Sequence, residues 1–186
     1  MDSPLQQALA DICSQLDERS VRFALIGGIA ASLRGRLRTT EDIDLVVMTD
    51  VDGALNLAAS LDAQKFVPLF PDFEKVVRTA HILALEHRPT SITLDLAIAA
   101  SGFEQQVIQR ADLVNIADIQ VYVSTAEDLI LMKMLAGRPQ DEQDIAGIVA
   151  EQRGAIDWKY CESVACQLEE VMEMDLVKVL RRLQAQ

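Results

Sequence analysis

Leu25-Ile26-Gly27-Gly28, a gap of thirteen residues, then Asp42-Ile43-Asp44-Leu45-Val46-Val47 is the stretch that decides the fold. Residues 21–26, apolar apart from Arg22, read as a strand that the glycine pair stops. Residues 29–33 then start a short helix. Glycines between a strand and a helix let the backbone approach a ligand closely, and the helix N-terminus offers N–H groups to an anion. Residues 43–48 read as a second strand. Strand side chains alternate, so Asp42 and Asp44 share one face while Ile43 enters the core. Two carboxylates on one face repel each other unless a cation lies between them. Hard cations such as Mg²⁺ bind through a few carboxylates and keep positions for phosphate oxygens. An isolated Asp-x-Asp is ordinarily a solvated strand start. Here the pair runs straight into Leu45-Val46-Val47, at the rim of a buried sheet, where a charge pair needs a reason. The glycines match neither the P-loop nor the GxGxxG pattern.

A third acid lies downstream. Asp95 interrupts Ile92-Thr93-Leu94-Asp95-Leu96-Ala97-Ile98, an almost wholly apolar strand. Aspartate is rarely buried without a partner; Asp95 could be a satisfied core carboxylate or lie on an exposed strand face, but a place beside Asp42 and Asp44 on a neighbouring strand explains it better. Between the glycines and the first acids stand Arg34, Arg36 and Arg38. Three arginines in five residues ordinarily make a solvated loop. They also suit triphosphate, since guanidinium groups match phosphate geometry, and Arg38 is the best placed.

The rest of the chain frames these motifs. Ser3-Pro4 opens a helix over 4–18 with Leu5, Leu9, Ile12 and Leu16 on its buried face. A helix is expected over 52–61, a loop or edge strand over 66–73, and strands over 80–86 and 91–98 around the turn His87-Arg88-Pro89-Thr90. A helix over 103–110 and a strand over 119–123 follow. From Thr125, with Asp128 three residues on, the pattern is helical: to Ala136, then 140–151, 158–170 and 173–184, with Gly137 and Pro139 breaking the first pair. The composition change near 124 divides a mixed core with its N-terminal helix, 1–124, from a helical subdomain, 125–186. The expected fold is α/β (α+β): a short mixed sheet of four or five strands flanked by helices, with a C-terminal helical bundle.

Composition narrows the function. Aromatics are 4% of 186 residues, so the core must be aliphatic. The net charge of −12 argues against an extended nucleic-acid surface, which needs a basic stripe, but not against a single docked end. The three cysteines, Cys13, Cys161 and Cys166, form no CxxC pair and read as buried reduced thiols. His81 and His87 have no partner at zinc spacing. The Met-Asp-Ser-Pro opening lacks a basic region and an apolar stretch, and no run is long enough to span a membrane, so a cytoplasmic protein is expected.

Together, Gly27-Gly28, Asp42-Ile43-Asp44 and Asp95 resemble the signature of the nucleotidyltransferase superfamily with the DNA polymerase β-like fold. The stretch Gly28-Ile-Ala-Ala-Ser-Leu-Arg-Gly-Arg-Leu-Arg-Thr-Thr-Glu-Asp-Ile-Asp-Leu is similar to small bacterial members, including AbiEii-type toxins and uncharacterised relatives. The stretch Thr125-Ala-Glu-Asp-Leu-Ile-Leu-Met-Lys-Met-Leu-Ala-Gly-Arg-Pro-Gln-Asp-Glu-Gln-Asp-Ile resembles their helical motif, a lysine followed by an aspartate, here Lys133 and Asp144. The resemblance spans roughly residues 20–150. Gly28 departs from it, where many members have serine, and so does Arg34, where relatives often have histidine. It implies transfer of a nucleoside monophosphate from an NTP such as ATP to an acceptor, which could be a small molecule, a protein side chain or a tRNA end. It implies two Mg²⁺ ions, with Mn²⁺ as a substitute, held by Asp42, Asp44 and Asp95. Gly27, Gly28 and Arg38 would position the phosphates. Lys133 and Asp144 would face the site from the helical half, although a structural ion pair is nearly as good a reading of that pair. It also allows a toxin with an antitoxin partner. The alternative is a non-catalytic nucleotide-binding or protein-partner module on the same fold.

Overall fold

The computed structural model describes residues 3–185; Met1 and Asp2, part of the opening read for a leader, lie outside them. The chain divides into two compact units, 1–29 with 39–124, and 30–38 with 125–186, so the chain passes from one to the other within its second helix.

The first unit opens with α1 (Pro4–Glu18), whose Ser3 cap and Gln6 exchange hydrogen bonds in a capping box. Ala8, Leu9, Ile12 and Leu16 form its buried face. Then come β1 (Phe23–Leu25), the start of α2 (Gly27–Arg34), β2 (Asp42–Val47), α3 (Val51–Ser60), β3 (Phe66–Pro68), α4 (Phe73–Ala80), β4 (Ile82–His87), β5 (Ile92–Ile98), α5 (Gly102–Arg110), β6 (Asp112–Ile116) and β7 (Ile119–Val123). The strands make one mixed sheet of order β3-β4-β5-β2-β1-β7-β6. Its centre is the parallel pair β2/β5, flanked by antiparallel β1 and β4. The core is aliphatic: Leu25, Ile43, Leu45, Leu83, Leu85, Leu94 and Leu96 are all fully buried.

The sheet has seven strands rather than four or five. Two sit at its edges. β3 falls in the stretch read as loop or edge strand, whereas β6 carries exposed Asp112, Leu113 and Asn115 and so shows no alternation to read. The helix α4 also goes beyond the expectation: it starts at the end of the stretch read as loop or edge strand, and of its apolar residues Phe73, Val76, Val77 and Ala80 only Val77 is buried.

His87 is wholly buried. Its Nδ1 lies 2.7 Å from Thr90 Oγ1 and its Nε2 3.0 Å from Asp11 Oδ2, while Lys65 Nζ meets Asp11 Oδ1 at 2.5 Å. This histidine ties α1 to the β4–β5 turn.

The second unit holds the end of α2, the segment 35–38, and α6 (Ala126–Ala136), α7 (Pro139–Glu151), α8 (Trp158–Glu169) and α9 (Leu176–Gln184). Thr125 caps α6, Gly137 ends it in the left-handed conformation, and Pro139 occupies the first turn of α7. The segment 35–38 lies directly on α7: a Cβ at Gly35 would come within 2.7 Å of Ile148 N. Cys13 and Cys161 are buried, and burial with nearby acids pushes both thiols up to about 12. Cys166 departs from the reading of buried thiols, because it lies on the exposed face of α8. Among the described residues no helix is long and apolar enough to cross a membrane.

Candidate functional site

In the first unit, β2 and β5 assemble three carboxylates. Ile43, Leu45, Leu94 and Leu96 fill one face of these strands and are fully buried, which turns Asp42, Asp44 and Asp95 to the other. The parallel register sets Asp44 level with Asp95, and Asp42 level with Thr93. The charge in the apolar 92–98 stretch is thereby explained: Asp95 sits on the open face of a strand whose other face is core. Burial among its neighbours, and then the negative charge of Asp42, hold the Asp95 carboxyl above the ordinary carboxylate range.

The glycine pair meets the same face. Ile26 N–H donates to the Asp44 carbonyl at 2.9 Å, extending the β1–β2 ladder by one residue and bringing the chain turn beside Asp44. Gly27 has φ +62°, and a Cβ there would stand 1.8 Å from Asp44 Oδ2, so both conformation and space demand glycine. Gly28 N–H, at the first turn of α2, approaches Asp44 Oδ2 at 3.4 Å. On the other side, Thr40 Oγ1 donates to Asp42 Oδ1 at 2.6 Å. Gly27, Gly28, Asp42, Asp44 and Asp95 therefore form one constellation.

Its donor chemistry fits a hard divalent cation: three carboxylates on adjacent strands, with Asp44 and Asp95 side by side. Among the described residues no group of three or more His, Cys, Asp and Glu side chains is drawn together as a metal site. Like charges spread apart, and here Asp42 turns to Thr40 and Asp44 to the glycine turn.

The other three expected residues form a separate cluster in the second unit. Lys133, 4% exposed, donates to Asp144 Oδ2 at 2.6 Å and to Asp141 Oδ1 at 3.2 Å. Arg38 Nε lies 3.0 Å from Asp144 Oδ1, so Arg38 is paired with a carboxylate of α7. Asp141, a residue the sequence reading passed over, is 1% exposed and also receives Arg138 through Nε at 2.8 Å and through the backbone N–H at 3.1 Å. Burial alone would raise the Asp141 carboxyl, but the Arg138 and Lys133 hydrogen bonds outweigh it and hold it below the usual range. The signal was present in Arg138-Pro139-Gln140-Asp141, a helix start with an acid at its third position. Beside this cluster, Arg36, Leu37, Arg38, Asp144, Gly147 and Ala150 line a groove of about 760 Å³.

Comparison with known proteins agrees with this architecture. The family described as "Nucleotidyltransferase of unknown function (DUF6036)" matches residues 4–183. No curated protein matches the sequence. Among solved structures, the antibiotic-resistance factor ANT(2'')-Ia is similar at TM-score 0.62 and 16% identity, over 93% of this chain and 97% of that one. An antigenic nucleotidyltransferase-like protein from Paracoccidioides brasiliensis is similar at TM-score 0.55 and 19% identity, over 93% and 90%. The lincosamide antibiotic adenylyltransferase LnuA, in its lincomycin-bound form, is similar at 0.52 and 17%, over 77% and 95%. At such identities the likeness is one of fold.

Proposed function

The chain belongs to this nucleotidyltransferase family, and from that premise we propose that it transfers a nucleoside monophosphate from an NTP to an acceptor hydroxyl, with Asp42, Asp44 and Asp95 as its reactive centre. The observation that carries the reading is the level pairing of Asp44 with Asp95 on β2 and β5, with Asp42 on the same face and the Gly27-Gly28 turn against Asp44.

Asp42 and Asp44 would hold two divalent ions, Mg²⁺ or Mn²⁺, with Asp95 ligating one of them; bound there, such ions acidify an attacking hydroxyl and screen the charge of a leaving pyrophosphate. The backbone N–H of Gly28 orients the phosphates. The acceptor oxygen bonds to the α-phosphorus, the bond to the pyrophosphate oxygen breaks, and the hydroxyl proton passes to Asp95. For Lys133 and Asp144 the buried bond between them supports the structural ion-pair reading, with Arg38 on the same carboxylate.

A small molecule is the first acceptor class to test, ahead of a protein side chain or a tRNA end. One fold neighbour is described as an antibiotic-resistance factor and another as a lincosamide antibiotic adenylyltransferase, and a charge of −12 disfavours an extended nucleic-acid partner. A toxin role with an antitoxin partner is tested by expression: growth arrest by the parent chain and none by Asp44→Asn. The enzymatic reading is tested with α-³²P-labelled NTPs, Mg²⁺ and cell extract. Label should appear on an acceptor with the parent chain and not with Asp44→Asn. NTP binding with no pyrophosphate released from any of the four NTPs would favour the non-catalytic alternative.

A further inference from the structure

We infer that Thr40 is a positioning residue for Asp42, its hydroxyl fixing the carboxylate in the orientation in which it ligates a divalent cation. The inference rests on the reading of Asp42 as a cation ligand and adds a residue to which no role has been given.

The two aspartates of Asp42-Ile43-Asp44 are held very differently. Asp44 lies against the Gly27 Cα, where even a methyl group would collide with its carboxylate, and it approaches the Gly28 N–H. Asp42 is the first residue of β2 and is exposed, so core packing does not choose its rotamer. A freely rotating carboxylate gives up side-chain entropy each time it ligates. Thr40 removes that freedom beforehand. Its Oγ1 lies 2.6 Å from Asp42 Oδ1, within the short range of a hydroxyl bonded to an ionised acceptor. Thr40 is half-buried, and its β-branch leaves few χ1 choices. The hydroxyl therefore holds one carboxylate oxygen and directs the other. Hydrogen-bond partners behind metal ligands orient them, and their loss costs about tenfold or more in metal affinity.

The alternative role for Thr40 is to shape the chain entering β2, and that role would show in the metal-free protein. The test measures Mn²⁺ binding by the paramagnetic resonance of the free ion, together with melting in EDTA. Thr40→Val keeps the branched shape and removes the hydroxyl; Thr40→Ser keeps the hydroxyl. The valine variant should bind Mn²⁺ about tenfold more weakly than the parent, the serine variant within about twofold of it. All three should melt within about one degree of each other in EDTA. Parent-like Mn²⁺ affinity in Thr40→Val overturns the inference. So does weakened binding accompanied by a lower melting temperature in EDTA and not restored by serine. A parent chain that takes up no Mn²⁺ overturns the cation reading of the three acids itself, and this inference with it.

Discussion

At Asp95 two roles make opposite predictions. A structural core acid would be satisfied by partners that lower its carboxyl, and its loss would unfold the sheet. Here burial and the charge of Asp42 instead raise it, so at neutral pH the ionised Asp95 opposes folding. The raised folded value means that the folded chain holds this proton more tightly than the unfolded one. Stability from this group is therefore present in acid and lost as pH rises through the window above the unfolded value. Asp95→Asn should accordingly melt no lower than the parent at pH 7 in EDTA. Its kcat should nevertheless fall by orders of magnitude, with NTP affinity kept within a few-fold. Joint loss of melting temperature and activity would return Asp95 to the core. Of these residue-scale features, the shared face of Asp42 and Asp44 was legible, because alternation in a strand is local. The pairing of Asp44 with Asp95 was legible only as a possibility, since register across β2 and β5 is set by long-range packing that one sequence does not display. The Thr40 hydroxyl bond was not legible at all, because a loop threonine gives no sign of its rotamer.

Among the elements, α6 and α7 are tied by Lys133 to Asp141 and Asp144. The Gly137 stop and Pro139 start were readable, and so was an anomalous lysine in an apolar helix. What the sequence did not convey is how completely Lys133 is enclosed, or that Asp141 shares it with Asp144. Removing Lys133 would take away the cation these two buried carboxylates share while Arg38 and Arg138 stay paired to them, so the cost should fall below that of a buried charge left uncompensated, about 3–5 kcal/mol. Lys133→Ala should therefore lower the urea midpoint at pH 7, whatever its effect on transfer. The Asp141 carboxyl is held below its unfolded value, so its contribution is present above that value and is lost as pH falls through the folded one. The gap between parent and Lys133→Ala should narrow in acid. A variant that unfolds at the parent's urea concentration at pH 7 would show that the network is not structural. The elements the sequence reading missed are α4 and β6. Both are mostly exposed, but only β6 lacks the pattern from which elements are read; α4 has Phe73, Val76, Val77 and Ala80 at helical spacing, overlooked beside the proline-bearing stretch read as loop.

On the scale of the whole molecule, the chain places its acids in two different electrostatic settings. In the second unit Asp141 and Asp144 are matched by Lys133, Arg38 and Arg138. In the first, Asp42, Asp44 and Asp95 share a face with neutral donors from Thr40 and the glycine turn. The first is the arrangement whose donor chemistry fits a hard divalent cation. The family and the fold are those of nucleotidyltransferases, and the central claim is that the three sheet acids bind the metal through which the nucleotide is held. The most direct measurement is a calorimetric titration of ATP in the presence and absence of Mg²⁺, for the parent chain and for Asp44→Asn. Binding is expected for the parent only with Mg²⁺, and none for an Asp44→Asn chain shown to be folded by its melting in EDTA. Unchanged Mg²⁺-dependent binding in a folded Asp44→Asn would contradict it.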